Sequence, residues 1–111
     1  MAKFEMKVAQ DDQFFFRLKA DNGEIILSSE MYKGKDGCQN GVESVKKNAG
    51  SEDRYEKRAS SAEQPYFVLK AANHEIIGTS QQYSSESARD AGIAAVMRAG
   101  PGAILEDQTV G

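Results

Sequence analysis

Few side chains in this sequence are equipped for chemistry, and their spacing narrows the choice further. The 111 residues include one Cys, Cys38, and one His, His74. A nucleophilic thiol needs a base beside it, and a zinc site needs three or four Cys, His or carboxylate ligands brought together. Cys38 falls on the apolar stripe of a predicted helix, which predicts a buried, inert thiol. His74 falls at the tip of a predicted hairpin, where it fills a turn and has nothing to shield it as a base. The carboxylate pairs Asp11-Asp12 and Glu52-Asp53 lie in turn segments and read as solvated loop residues. Gly34, Gly37 and Gly41 match neither G-x-x-x-x-G-K-[ST] nor G-x-G-x-x-G, so they predict no phosphate loop. No catalytic centre, metal or cofactor is expected. What remains is a surface: basic and aromatic residues interleave at Phe15, Arg17 and Lys19, and again at Arg58, Tyr66 and Lys70.

The elements that would carry that surface are organised by an internal repeat. FRLKADNGEII from Phe16 returns as FVLKAANHEII from Phe67, an offset of 51 residues. Aligned without a gap, residues 3–49 and 54–100 share 14 identities in 47 positions, among them Phe16/Phe67, Leu18/Leu69, Tyr32/Tyr83, Gly41/Gly92 and Val45/Val96. Such similarity at a fixed period is the mark of a tandem duplication. The predicted organisation is a single domain over 1–111, made of those two repeats and a C-terminal strand or tail at 102–111. Half of it alone is too small to hold a core.

Each copy reads as three strands and a helix. Phe4, Met6 and Val8 alternate with Lys3, Glu5 and Lys7, and Phe14, Phe16 and Leu18 alternate with Phe15, Arg17 and Lys19, the period of two of a strand with one wet face. Asn22-Gly23 suits a two-residue type I′ hairpin, which would set Ala20 against Ile25, Leu18 against Leu27 and Phe16 against Ser29. After Tyr32 the period becomes helical through Cys38, Gly41, Val42, Val45 and Ala49. The second copy repeats the plan, with Ser84 or Ser85 as a cap and Gly100-Pro101 as a stop. A glycine in mid-helix costs about 1 kcal/mol relative to alanine, so Gly41 and Gly92 predict a close approach of each helix to what lies beneath it. The expected fold is α+β: a tandem β-β-β-α pseudo-dimer with one antiparallel sheet and two helices on one face.

These residues resemble the YegP-like family of small, largely bacterial proteins of uncharacterised function. The likeness rests on the hairpins N-G-E-I-I and N-H-E-I-I, the stretches S-S-E-M-Y and T-S-Q-Q-Y, and the helix cores G-V-E-S-V and G-I-A-A-V, and it covers about residues 3–100. The resemblance implies β(3)-α-β motifs that share one sheet and exchange their C-terminal strands, with 54–59 and 103–109 as the strands that tie the halves together. The second hairpin departs from the pattern by His74 where Gly23 stands. The family implies a fold and no activity, so no catalytic residue is carried over.

Composition sets outer bounds. With 14 basic and 17 acidic residues the net charge is -3 and the pI about 5.2, which excludes a globally basic nucleic-acid binder but not a local basic face. No apolar run suits a signal peptide or a membrane span, and one Cys requires no oxidising compartment, so the expected location is the cytoplasm. Strict alternation places Lys3, Glu5, Lys7, Phe15, Arg17, Lys19, Arg54, Glu56, Arg58, Tyr66, Val68 and Lys70 on the face without helices, seven bases against two acids. The third strands add Glu24, Glu30 and Glu75, and with them Ile26 and Ile77. The resulting expectation is a monomeric, non-enzymatic binding or accessory protein. Its alternatives are single-stranded nucleic acid or another polyanion held by charge and stacking, and a protein partner meeting Phe15, Ile26, Tyr66, Val68 and Ile77.

Overall fold

The computed structural model describes residues 1–109. Its elements run β1 (Lys3–Val8), β2 (Phe14–Lys19), β3 (Ile25–Ser28), α1 (Lys35–Asn48), β4 (Tyr55–Ala59), β5 (Pro65–Lys70), β6 (Ile76–Thr79), α2 (Glu86–Ala99) and β7 (Ile104–Asp107). The strands form one sheet in the order β4-β5-β6-β3-β2-β1-β7. The expected antiparallel pairing holds across six of them. The seventh, β7, lies parallel to β1, so the sheet is mixed. A strand that follows the second helix therefore closes the outer edge of the first repeat, with Phe4 beside Leu105 and Met6 beside Asp107. Val110, the last apolar residue of the anticipated tail, lies outside the described residues.

A pseudo-dyad runs between β3 and β6, and residues 51 apart meet upon it. Ser28 and Thr79 are direct partners. A Cβ added to Gly78 would stand 2.6 Å from a Leu27 methyl, and one added to Gly100 would stand 2.7 Å from Ala49 Cβ. Two identical leucines cannot occupy the same point beside an axis, and here one copy has leucine and the other has none. The core spreads to either side: Phe4, Met6, Phe16, Leu18, Leu27 and Val45 from one half, and Phe67, Leu69, Ile93 and Val96 from the other. Equivalent aromatic trios stand in both halves. Phe16 meets Phe4 edge-on at 5.8 Å and stacks on Tyr32 at 6.4 Å, while Phe67 meets Tyr55 at 5.7 Å and Tyr83 at 6.4 Å.

The helix glycines answer to those tyrosines. A Cβ on Gly41 would fall 2.4 Å from the Tyr32 hydroxyl, and one on Gly92 would fall 2.2 Å from that of Tyr83. The close approach expected from sequence is thus to a phenol ring wedged beneath each helix. Ser85 caps α2 by accepting a hydrogen bond from Ala88 N at 3.1 Å. Gly34 opens α1 without a side-chain cap, and Asp36 in the first turn with Lys46 and Lys47 in the last suit the helix dipole.

The hairpins differ from the expected type. Ala20 N donates to Glu24 O and Gly23 N to Ala20 O, both at 2.9 Å, so the loop has three residues and ends on Gly23 at φ 86°. Leu18 still faces Leu27, but Ala20 faces Glu24 instead of Ile25, and the ladder shifts between Leu18 and Lys19. Asn-Gly serves this turn as readily as a type I′ turn, because both place glycine at positive φ. The same turn recurs with Asp12 (φ 66°), Glu63 (φ 62°) and His74 (φ 70°) in the glycine's place. A left-handed conformation costs an ordinary residue about 1 kcal/mol or more. Glu63→Gly and His74→Gly are therefore each expected to raise stability by up to about 1 kcal/mol, as measured by urea denaturation; a loss of stability in both would refute this account of the turns.

Candidate helix-free face

The face opposite the helices is laid out in cross-strand rows. Glu56, Val68, Thr79, Ser28, Arg17, Glu5 and Glu106 form one row from β4 to β7, each the register partner of the next. All six candidate residues, Phe15, Arg17, Lys19, Arg58, Tyr66 and Lys70, project on this face. They do not form one patch. Phe15 on β2 and Tyr66 on β5 are separated by β3 and β6, about 14 Å at ordinary strand spacing. Each aromatic stands beside a base in the neighbouring strand: Phe15 opposite Lys7, and Tyr66 opposite Arg58. These two pairs are equivalents under the repeat. Arg17 adds a guanidinium 5.2 Å from the centre of the Phe15 ring.

Most of the bases are already engaged. Glu5 is 4% exposed and sits among Lys19 at 3.1 Å, Lys3 at 3.6 Å and Lys7 at 3.8 Å, while Gln108 Nε2 donates to its Oε2 at 3.3 Å. Burial alone would push this carboxyl up, but Lys19, Lys7 and Lys3 together outweigh that and leave it below the ordinary carboxylate range. Glu106, brought by β7, receives Lys3 at 3.1 Å. Across the pseudo-dyad Glu56 receives Lys70 at 2.7 Å and pairs with Arg58, and these hydrogen bonds from Lys70 and Arg58 hold its carboxyl low. The bonds to Glu56 and then Tyr66 hold the Arg58 guanidinium above its usual value. Among the described residues Arg17 makes no ion pair. The charge excess anticipated from alternation is largely neutralised within the sheet.

The apolar part of the expected surface is corrected as well. Phe15 and Tyr66 are half-buried and Val68 is buried, while Ile26 and Ile77 are not on this face at all. The ladder shifts between Leu18 and Lys19 and between Leu69 and Lys70 set Ile25 and Ile76 opposite Lys19 and Lys70, and turn Ile26 and Ile77 into the core beneath the helices. Val68 is enclosed by Glu56 and Thr79 across the sheet and by Tyr66 and Lys70 along its strand, so position on a helix-free face does not make it accessible. Arg54 lies in the 3-10 turn before β4, outside the strand. Ile104 and Leu105 on β7 are exposed. Sequence reasoning missed Glu106 and Gln108, which complete the Glu5 cluster, because periodicity carries no sign that β7 crosses to β1.

The two chemically reactive side chains lie elsewhere. His74 is exposed at its hairpin tip, and Cys38 is buried on α1. Burial pushes the Cys38 thiol up to about 11, so the native protein is expected to react with a thiol reagent at pH 8 at least tenfold more slowly than the urea-unfolded chain. Equal rates would show that the thiol is accessible. Among the described residues no three His, Cys, Asp or Glu side chains are grouped to hold a metal ion, and no helix is long and apolar enough to cross a membrane.

Fold and face define a class: a tandem pseudo-dimer on one mixed sheet, whose last strand is handed from the second half to the first. The chain matches the family described as Domain of unknown function (DUF1508) twice, over residues 9–56 and 60–107, which are again 51 residues apart. It is 54% identical over 106 residues to a UPF0339 protein of Shewanella oneidensis, with 96% of each chain covered. It is 47% identical over 110 residues to the UPF0339 protein YegP of Yersinia pestis, with 99% of this chain and 98% of the relative covered. The solution structure of YegP from Escherichia coli, a protein of unknown function, superposes with a TM-score of 0.93 at 45% identity, covering 99% of this chain and 95% of the other. The chain belongs to the DUF1508 family, the YegP-like UPF0339 proteins.

Proposed function

We propose that the protein is a monomeric, non-enzymatic binding protein whose working surface is the helix-free face. The observation that carries this reading is the repeated basic and aromatic pair, Lys7 with Phe15 and Arg58 with Tyr66, set at equivalent places in the two halves. Ion pairs to Glu5 and Glu56 hold the surrounding side chains in fixed positions, so a partner meets an ordered surface and spends less of its binding free energy on ordering it. Such a face suits a macromolecule that touches both ends at once. A cytoplasmic location agrees with this role.

Single-stranded nucleic acid is the alternative favoured by a particular contact, the Arg17 guanidinium over Phe15, since a base and a phosphate could share that pair. Glu5 and Glu56 weigh against it by occupying the lysines. Amide NMR titration with mixed short single-stranded RNA and DNA, at low and then physiological salt, tests the two together. Shifts at Arg17, Lys19, Tyr66 and Lys70 that shrink with salt would assign the face to nucleic acid. With nucleic acid silent, capture of a specific protein partner that is lost in both Phe15→Ala and Tyr66→Ala supports the broader reading. Equal capture by wild type and both variants would overturn it.

A further inference from the structure

Two complete halves of the kind seen here would make eight strands, and among the described residues the sheet has seven. The absent position lies beside β4. Counting 51 residues on, β4 is the equivalent of β1, and Lys57 holds the same register against Phe67 that Met6 holds against Phe16. Met6 O accepts a hydrogen bond from Gln108 N at 2.9 Å, on the edge that β7 covers. The corresponding carbonyl of Lys57 lies on the outer side of β4, where among the described residues no strand meets it. An outer strand lies on one half and an open edge on the other.

We propose that the β4 edge is an acceptor for an extended segment of another protein, running parallel to β4 as β7 runs along β1. This goes beyond the face assigned above and uses a different surface. The chain carries its own template for the occupant. Leu105 lies beside Phe4, Glu106 receives Lys3 at 3.1 Å, and Asp107 receives Lys35 at 2.6 Å. Carried across the pseudo-dyad, Phe4 becomes Tyr55, Lys3 becomes Arg54 and Lys35 becomes Glu86. A cleft lined by Tyr55, Ile93, Lys57, Asp90, Asp53 and Glu52 opens beside the strand. The position beside Tyr55 calls for an apolar side chain. The next, in the row with Glu56, calls for an acid, because Arg54 is basic as Lys3 is and makes no ion pair among the described residues.

The third position is where the two edges diverge. Glu52, Asp53 and Asp90 line the cleft there with Lys57, Glu86 is the repeat equivalent of Lys35, and Lys57 and Arg89 already pair with Asp90, at 3.3 and 3.2 Å. A basic side chain fits there, and an acid like Asp107 does not. The order apolar, acidic, basic distinguishes the partner from the chain's own β7, whose order is Leu105, Glu106, Asp107. Charge placed at an edge is a common defence against self-pairing, and here the same charges leave room for a strand of different sequence.

The test uses two synthetic peptides, one with the sequence of residues 103–109 and one with Asp107→Lys, titrated into the full chain to millimolar concentration while amide shifts are followed. The expected result is a saturating response at residues 55–59 for the lysine peptide and a several-fold weaker one for the native sequence. Asp90→Asn, a surface change, is expected to weaken the lysine peptide several-fold. Silence along β4 with both peptides, or equal responses to both, overturns the proposal. Shifts confined to Phe15, Arg17 and Tyr66 overturn it too, while leaving the face reading intact.

Discussion

Replacing Gly78 by leucine, which makes the two repeats alike at the pseudo-dyad, is expected to destabilise the fold by about 3 kcal/mol or more, the upper range for overpacking a closed core. A Cβ alone at that position would already lie 2.6 Å from a Leu27 methyl. Leu27→Gly is expected to cost about 3 to 5 kcal/mol through the cavity it leaves. The double variant Leu27→Gly/Gly78→Leu puts the same two side chains back on opposite sides of the axis. It is expected to recover to within about 1.5 kcal/mol of wild type. Urea denaturation of the four proteins measures the cycle, and additive losses in the double variant would show that the two positions do not share one space.

Glu5→Gln is the second large effect. It leaves Lys3, Lys7 and Lys19 converging on a buried amide, where breaking a fully buried pair costs about 3 to 5 kcal/mol. The lysines are about a third exposed, so solvent screening lowers the expectation to about 2 kcal/mol at pH 7. The folded-state carboxyl titrates below its ordinary value. Its contribution is therefore complete above the unfolded value, about 4.3, and is lost as pH falls from there through the folded one. The gap between wild type and Glu5→Gln should narrow as pH falls below about 4.3 and close once the folded-state carboxyl is itself protonated. Glu56→Gln, at a carboxylate 41% exposed, is expected to change stability far less. Equal losses from the two substitutions would mean that burial at Glu5 does not set the strength of its cluster.

What the sequence discloses follows from what has a period. Alternation in β1 and β2, the helical spacing of Val42 and Val45, and the recurrence of FRLKADNGEII fix the strands, the helices and the halves, since each pattern repeats a local geometry. The turn at Gly23 is ambiguous because glycine serves two hairpin types, and His74 adopts the same left-handed conformation without announcing it. The crossing of β7 leaves no periodic trace. Alternation gives the side of the sheet on which Val68 lies but not its burial, which depends on neighbours in other strands. It fails for Ile26 and Ile77, which the ladder shifts between Leu18 and Lys19 and between Leu69 and Lys70 turn into the core. One signal was readable in the repeat alignment: Met6 against Lys57 and Gln39 against Asp90 put charge in one half where the other has none, and both changes fall at the open edge.

The pairing of β1 with β7 also sets an order of events. Phe4 and Met6 are wholly buried, yet their outer neighbour is the last strand of the sheet in sequence, about a hundred residues away. As the chain is made, the first strand can pair with the second at once, but its outer edge stays uncovered until β7 has left the ribosome. Contacts of such long sequence separation are slow to form. The nascent protein therefore passes through a stage in which both edges of its sheet are open, and the emergence of β7 closes one of them.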